Sequence, residues 1–238
     1  MCGIVGIWNL DDCPIDRSEL DKFTDSLSHR GPDGRGIYLD PNVTLGLGHR
    51  RLSILDLTPK GQQPMSYANG RYWITYNGEI YNFLELREEL RGLGHKFKSN
   101  SDTEVILAAY IQWGEACQLK FNGMWAFAIW DAQERVLFLS RDRFGVKPLH
   151  YLYNGKQFIF ASEMKSFLSL EKLQPSFDKQ MVAFALTNPS LIEGTEYSLL
   201  KGIKRLNGGC FIILKPGHKP LIKRWWDTVD HLELNIGN

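Results

Sequence analysis

Residues 1–8 of the chain read MCGIVGIW, an apolar run without a charged side chain that begins at the initiator methionine. Within it, residues 4–8 predict a buried strand. Gly3 lies next to this strand and Gly6 lies inside it, where a glycine permits close approach of a neighbouring backbone. The first strand of the fold therefore starts almost at the chain terminus and holds Cys2 against the body of the protein, whereas a polar terminus would fray.

Cys2 is the first candidate for chemistry. A small second residue allows removal of Met1, which would leave a cysteine with both a thiol and a free α-amine. An α-amino group has a pKa of about 7.7–8.0, so it can accept the thiol proton at neutral pH without a histidine. N-terminal nucleophiles use this arrangement. The alternative is an ordinary exposed cysteine, and position alone does not decide between the two.

The rest of the chain mixes helix and strand patterns without the regular alternation of a doubly wound fold. Helices are expected at residues 18–28, at residues 83–93 and at Asp102–Trp113, where SDTE (residues 101–104) has the capping-box pattern with Ser101 as N-cap. Strand patterns occur at Leu45–Arg51, at residues 72–76, 125–130, 136–140, 149–153 and 158–161, and at Cys210–Leu214. These clusters favour an α+β fold of stacked antiparallel sheets with helical layers.

Composition excludes several classes of function. The chain has 238 residues, 43% hydrophobic, and a net charge of +1, with no basic run, so nucleic acid is not an expected partner. No apolar run reaches the ~20 residues of a membrane span, and Asp11 and Asp12 come too early for a signal peptide. The four cysteines form no C-x-x-C pair, and no metal-ligand or nucleotide-loop spacing occurs. We expect a cytoplasmic protein with reduced thiols and no metal site.

Three polar positions also have ordinary structural explanations. Asn77-Gly78 directly follows the strand at residues 72–76, and Asn-Gly is the preferred dipeptide of tight hairpin turns with positive φ. Asp102 could simply favour the N-terminus of its helix, a contribution of about 0.3–1 kcal/mol. Arg51 could be a solvated side chain at a strand end. Taken alone, these residues predict a turn, a helix terminus and a surface charge.

Several motifs taken together change that interpretation. The chain contains MCGIVG (residues 1–6), HRGPD (29–33), RLSILD (51–56), YNGEIYN (76–82), SDTE (101–104) and RDRFGVKPL (141–149). In this order they closely resemble the N-terminal class II glutamine amidotransferase domain of the glutamine-hydrolysing asparagine synthetases, over nearly the whole chain. The resemblance implies a four-layer α-β-β-α sandwich with the N-terminal-nucleophile (Ntn) hydrolase fold. It also implies that the domain hydrolyses L-glutamine to L-glutamate and ammonia.

The resemblance further implies roles for individual residues. Cys2 would attack the side-chain amide of glutamine and form a thioester, while its α-amine carries the proton. Asn77 and Gly78 would donate hydrogen bonds to the oxyanion. The groups that bind glutamine would be Arg51, Ile54, Leu55, Glu79 and Asp102. Arg30 would be a supporting residue near the nucleophile. Hydrolysis of glutamine would need no cofactor.

The domain organisation follows from the same resemblance. Residues 2–222 would form the amidotransferase domain, and residues 223–238 would begin a linker towards a synthetase domain. That second domain would bind ATP and Mg²⁺ and amidate an acceptor, most simply aspartate, but the chain lacks its Ser-Gly-Gly-x-Asp-Ser loop. A homodimer is a further expectation. Two alternatives stay open, which are a catalytically silent glutamine-binding or scaffold module and an amidotransferase that serves a different acceptor.

Overall fold

Two six-stranded antiparallel sheets form the centre of the computed structural model, which describes residues 1–56, 58–188, 191 and 194–232. In chain order the strands are β1 (Gly3–Asn9), β2 (Gly34–Leu39), β3 (Leu45–Arg51), β4 (Met65–Tyr67), β5 (Tyr72–Ile80), β6 (Gly123–Asp131), β7 (Val136–Arg141), β8 (His150–Tyr153), β9 (Gln157–Ala161), β10 (Ile203–Arg205), β11 (Cys210–Leu214) and β12 (Leu221–Arg224). The first sheet has the order β10-β8-β9-β1-β3-β2, and the second has the order β12-β11-β7-β6-β5-β4. The first sheet therefore combines the N-terminal strands β1–β3 with later ones, and the second combines β4–β7 with the C-terminal β11 and β12.

The α-helices of the described chain are α1 (Arg17–Asp25), α2 (Phe83–Gly92), α3 (Asp102–Trp113), α4 (Cys117–Lys120) and α5 (Lys179–Thr187). Helices α1 to α4 pack on the outer faces of the sheets, and α5 has no buried residue. The Asp16 side chain caps α1 by accepting a hydrogen bond from the backbone N–H of Ser18. Ser101 caps α3 in the same way through the N–H of Thr103. These caps satisfy backbone donors that a helix N-terminus leaves without an intrahelical partner.

Three apolar clusters fill the spaces between the layers. The cluster between α1 and the first sheet includes Leu20, Phe23 and Val5. Between the two sheets lies a second cluster with Trp8 and Trp130 at its centre, whose rings meet edge to face at 5.0 Å. A third cluster packs α2 and α3 on the second sheet. The result is the α-β-β-α sandwich that the resemblance implied, and the predicted α+β class is confirmed.

Local patterns predicted several elements closely. β3 and α3 have the predicted bounds, and β1 extends the expected strand at residues 4–8 by one residue at each end. The capping box at Ser101 is only half formed, because the Glu104 carboxylate instead accepts hydrogen bonds from the backbone N–H groups of Lys98 and Ser99 at 2.8–3.0 Å. Glu104 thus secures the loop that leads into α3.

Asn77-Gly78 does not form the hairpin turn that the dipeptide taken alone would predict. Both residues lie inside β5, which continues to Ile80, and they pair with Ala126 and Trp125 of β6. Glycine is needed at position 78 for space, because a Cβ there would stand 2.3 Å from the carbonyl oxygen of Met124. Pairing with a long neighbouring strand outweighs the turn preference of the dipeptide.

The C-terminal part of the described chain belongs to the second sheet. The predicted domain boundary at residues 222/223 falls inside β12, whose Arg224 pairs with Cys210 of β11. Trp225 then stacks on Trp125 at 5.5 Å. Residues 233–238 of the expected linker lie outside the described residues, so the linker itself stays a prediction. Among the described helices, none is long and apolar enough to cross a membrane.

Candidate active site

A pocket opens beside the start of β1. It has an empty volume of about 550 Å³. The first residues of the chain, the end of β3, the middle of β5 and the N-terminus of α3 form its walls. The lining residues include the predicted set Cys2, Arg51, Ile54, Leu55, Asn77, Gly78, Glu79 and Asp102. The fold therefore brings together residues from four separate motifs, while their individual roles stay predictions.

The thiol of Cys2 is half-buried in this pocket. Its Sγ lies 3.4 Å from the backbone nitrogen of Leu52, which donates to it, and 3.6 Å from the Leu52 carbonyl oxygen. Burial raises the pKa of the Cys2 thiol, and the Leu52 backbone, the chain N-terminus and Arg51 offset this rise only in part. A thiol with a raised pKa is protonated at neutral pH, so it needs a base before it can attack a carbonyl.

Met1 lies at the mouth of the same pocket. It is 56% exposed, and its terminal ammonium donates a 3.3 Å hydrogen bond to the carbonyl oxygen of Arg30. While Met1 is attached, the nitrogen of Cys2 is an amide and cannot act as a base. Its exposure leaves Met1 open to an aminopeptidase.

Asn77 supplies a polar donor without a partner. Its side chain is 1% exposed, and its Nδ2 makes no hydrogen bond with any part of the chain that the structure describes. A buried amide donor without a partner costs about 1–3 kcal/mol. An oxygen that gains negative charge in the pocket would remove this cost, which is how an oxyanion hole is prearranged.

Among the described residues, Asp102 is one of two carboxylates, with Glu79, that line the pocket. Its carboxylate is 3% exposed at the first residue of α3, and its Oδ2 accepts hydrogen bonds from the Ile80 N–H at 3.1 Å and the Tyr76 hydroxyl at 2.8 Å. Burial raises the pKa of Asp102, and these two hydrogen bonds offset the rise only in part. A bound cation would favour the charged carboxylate and bring its pKa back down.

Arg51 supplies positive charge to the pocket. Its Nη2 donates to the carbonyl oxygens of Leu55, at 3.0 Å, and Asp56, while Nη1 donates to that of Thr58 at 3.4 Å. The loop after β3 thus wraps around the guanidinium. Leu55 was expected among the glutamine-binding groups, and in this structure its carbonyl accepts a hydrogen bond from Arg51. The Ile54 and Leu55 side chains are exposed at the pocket rim.

Arg30 is not among the residues that line the pocket, but it contacts the backbone of Cys2, which does line it. Its Nε donates a 2.9 Å hydrogen bond to the backbone carbonyl of Cys2. Its Nη1 lies 2.9 Å from the carboxylate of Glu163, which follows β9. The supporting position that the resemblance gave to Arg30 thus corresponds to a direct contact with the backbone of Cys2.

Sequence reasoning missed several residues around the pocket. Tyr76 and Gln63 form one such pair, since the Gln63 Oε1 accepts a 2.7 Å hydrogen bond from the Tyr76 N–H. Lys147, which is 6% exposed, also lines the pocket. Tyr76 and Lys147 lie inside quoted motifs, which could have singled them out, but no spacing signal connects Gln63 or Glu163 with Cys2.

The layer order is that of the Ntn hydrolase fold, and a comparison with solved structures supports this assignment. Glutamine phosphoribosylpyrophosphate amidotransferase from B. subtilis aligns with a TM-score of 0.68 and 19% identity, over 94% of this chain and 49% of that chain. At this identity the likeness establishes the fold. A family model described as "Glutamine amidotransferase domain" matches residues 1–226, and the chain belongs to that family.

Curated relatives point to one branch of the family. The chain is 41% identical over 211 residues to "Asparagine synthetase [glutamine-hydrolyzing] 3" of Bacillus subtilis, a match that covers 87% of this chain and 33% of the relative. It is 37% identical over 248 residues to a putative asparagine synthetase of Methanocaldococcus jannaschii, covering 97% of this chain and 47% of the relative. The chain therefore spans a third to about half of the length of these relatives.

Proposed function

We propose that this domain hydrolyses L-glutamine to L-glutamate and ammonia, with Cys2 as the nucleophile once Met1 has been removed. The observation that carries this proposal is the placement of the Cys2 thiol in one pocket with the Asn77 Nδ2, which has no hydrogen-bond partner among the described residues. Arg51 and Asp102 provide opposite charges in the same pocket. Free glutamine matches this arrangement, since it has a carboxylate, an ammonium and a carbonyl that can become an oxyanion.

The reaction would proceed in two halves. In the first, the α-amine of Cys2 takes the thiol proton and Sγ attacks the amide carbon, whose oxygen becomes negative and is stabilised by the Asn77 Nδ2 and the Gly78 N–H. The C–N bond then breaks, the proton passes to the leaving nitrogen, and ammonia departs from a thioester. In the second half, water attacks the thioester, the same amine takes a proton from the water, and glutamate and the free thiol are released.

The reactive carbonyl is aligned by groups that bind the other end of glutamine. In this scheme Arg51 binds the α-carboxylate, and Asp102 and Glu79 bind the α-ammonium, with Ile54 and Leu55 at the rim. These contacts are the same in the ground state and the transition state, so they mainly determine affinity. Asn77 acts on charge that develops during the reaction, and it should mainly determine the rate.

The ammonia would be used by a synthetase domain outside this chain. The relatives are named asparagine synthetases and are two to three times as long as their matched segments, so aspartate is the proposed acceptor and ATP with Mg²⁺ is proposed at the second site. Glutamine hydrolysis itself needs no cofactor in this scheme. A biosynthetic role of this kind agrees with the cytoplasmic location expected from the sequence.

The test is the intact mass of the protein before and after a glutamine-like diazoketone, with and without excess glutamine. We expect loss of Met1 and a single adduct on Cys2 that glutamine prevents, together with glutamate release that Cys2→Ala abolishes. Cys13→Ala, which changes an exposed cysteine, is the matched control and should retain both. Retained Met1, or labelling spread over all four cysteines, would favour the silent-module alternative.

A further inference from the structure

Cys2 lies one residue before the first sheet begins. The backbone pairing of β1 starts at Gly3, opposite Arg50 of β3, so the strand ladder does not hold the carbonyl of Cys2. That carbonyl accepts its 2.9 Å hydrogen bond from the Nε of Arg30 instead. After removal of Met1, this hydrogen bond and the Leu52 contacts to Sγ would have to keep a chain terminus from fraying.

Arg30 is itself held in place by a carboxylate. The Oε1 of Glu163 lies 2.9 Å from the Nη1 of Arg30 and 3.0 Å from the Nε2 of His29. Lys165 approaches the other oxygen at 3.2 Å. The Arg30 side chain is 8% exposed and that of Glu163 is 21% exposed. An ion pair at this depth is screened less by solvent than a surface pair.

The residue before Glu163 also binds the start of the chain. Ser162 accepts a 3.0 Å hydrogen bond at Oγ from the Ile4 N–H, and its own N–H donates to the Ile4 carbonyl at 2.9 Å. The end of β9 therefore binds the N-terminal segment at Ile4 through backbone and hydroxyl groups, and at Cys2 through Glu163 and Arg30. The planar guanidinium places its two donors in a fixed relation, so a shift of the Glu163 carboxylate would be passed on to the Cys2 carbonyl.

We propose that Glu163 is a positioning residue for the nucleophile, acting through Arg30 on the backbone of Cys2. This inference rests on the proposed function of Cys2 as the attacking thiol. Glu163 touches neither the thiol nor the pocket, so its effect reaches the reaction only through the position of Cys2.

The groups around Glu163 keep its carboxylate ionised. Burial alone would raise the pKa of Glu163, but the hydrogen bonds from Arg30, His29 and Lys165 outweigh it and lower the pKa to about 2. His150 lies near enough to sense its charge. The carboxylate thus stays ionised over the whole range in which the enzyme could act, and the Arg30 contact does not weaken on mild acidification.

The test is a double-mutant cycle of Glu163→Gln and Arg30→Met, with kcat, KM and the alkylation rates of individual cysteines by iodoacetamide as readouts. We expect Glu163→Gln to lower kcat by about 10- to 100-fold, the scale of a misplacement near 1 Å, with KM for glutamine changed less than threefold. Alkylation of Cys2 should become faster relative to exposed Cys13 as the thiol leaves its sheltered position. Buried Cys117 should stay unreactive, which excludes general unfolding.

The cycle also tests the route of the effect. If Glu163 acts through Arg30, Glu163→Gln adds no further loss of kcat in the Arg30→Met background. Glu171→Gln, which removes a surface carboxylate paired with Lys22, is the matched control and should behave as wild type. Independent, additive losses would overturn the proposal, as would an unchanged kcat and unchanged Cys2 alkylation in Glu163→Gln.

The experiment stays informative if a variant does not fold or if the wild-type domain is inactive. If Glu163→Gln does not fold, Glu163→Asp replaces it in the cycle, because the shorter side chain keeps the charge but withdraws it from Arg30. If the wild-type domain neither hydrolyses glutamine nor reacts with the diazoketone, the proposed function fails. The alkylation rates would still show whether Glu163 and Arg30 act together on Cys2.

Discussion

The hydroxyl of Tyr76 donates a 2.8 Å hydrogen bond to the Oδ2 of Asp102, which connects the middle of β5 to the first turn of α3. Tyr76 immediately precedes Asn77, so one strand supplies both the proposed oxyanion donor and the support of the proposed ammonium site. The two ends of a bound glutamine would therefore be aligned by neighbouring residues of a single strand. A shift of α3 relative to the sheet would disturb both ends together.

Asp102→Asn should weaken glutamine binding far more than it slows turnover. The change removes the negative charge but keeps the shape, and a charge-assisted hydrogen bond of about 1.5–3 kcal/mol corresponds to a KM roughly 10- to 100-fold higher. Because burial raises the pKa of Asp102, the wild-type KM should also increase on acidification before an ordinary carboxyl group would titrate. Steady-state kinetics across pH would check both effects, and a KM in the variant as low as in wild type would remove Asp102 from the ammonium site.

Arg51→Ala should likewise act mainly on affinity. The variant loses the proposed partner of the α-carboxylate and also the hydrogen bonds to the carbonyls of Leu55 and Thr58, so the loop after β3 loses its anchor. We expect KM to rise by about 10- to 100-fold. Arg35→Ala, at an arginine that binds Asp21 and Asp25 on the surface, is the control and should leave KM near the wild-type value. Equal KM values for both variants would contradict the assignment.

Asn77→Ala should act on the rate. Loss of an oxyanion donor costs about 2.7–4 kcal/mol of barrier, which corresponds to a kcat roughly 100- to 1000-fold lower. The folded protein should be no less stable, because the deleted Nδ2 is buried without a partner in the described structure. Thermal unfolding together with kcat and KM would test this combination. Changes of KM and kcat by equal factors would indicate that Asn77 binds glutamine in the ground state.

Gly78→Ala should destabilise the fold, because the added Cβ would meet the Met124 carbonyl oxygen at 2.3 Å and the Tyr76 ring at 2.6 Å. Overpacking of this kind typically costs about 1–3 kcal/mol. Gly92→Ala offers a matched control at the end of α2, where a Cβ meets nothing within 4 Å. That control should be neutral or slightly stabilising, as alanine favours helix over glycine. Urea unfolding of the two variants would check the contrast.

Acidification should destabilise the domain through its buried histidines. Burial lowers the pKa of His49 and of His150 to about 4, whereas an unfolded histidine titrates near 6.5. Between these values the unfolded state binds more protons, so each histidine contributes stability above pH 6.5 that is lost as the pH falls. We expect the free energy of unfolding to drop by about 2 kcal/mol per histidine from pH 7.5 to pH 5.

Urea unfolding at the two pH values would measure this drop. His49→Gln should make it smaller, whereas His218→Gln, at an exposed histidine, should leave it as in wild type. An identical drop in all three proteins would assign the acid sensitivity to other groups.

The sequence alone predicted the elements whose local patterns agree with their environment. β3 and α3 were predicted with their observed bounds because periodicity and capping are local properties. Asn77-Gly78 taken alone favours a turn, and nothing in the dipeptide shows that β6 pairs with β5 along the full length of β5. Glu163 lies 161 positions after Cys2 in the chain, and only the adjacency of β9 and β1 brings the two regions together. Contacts of this kind depend on topology, which no short pattern contains.

The position of Met1 has a practical consequence for work with this protein. Its ammonium binds the Arg30 carbonyl at the pocket mouth, so any residue retained ahead of Cys2 would occupy the same place. If Cys2 acts through its free α-amine as proposed, an affinity tag or protease scar fused in front of it would yield a folded preparation that does not hydrolyse glutamine. Such material would serve as a ready-made inactive reference, whereas samples for assays should carry their purification handle at the other end.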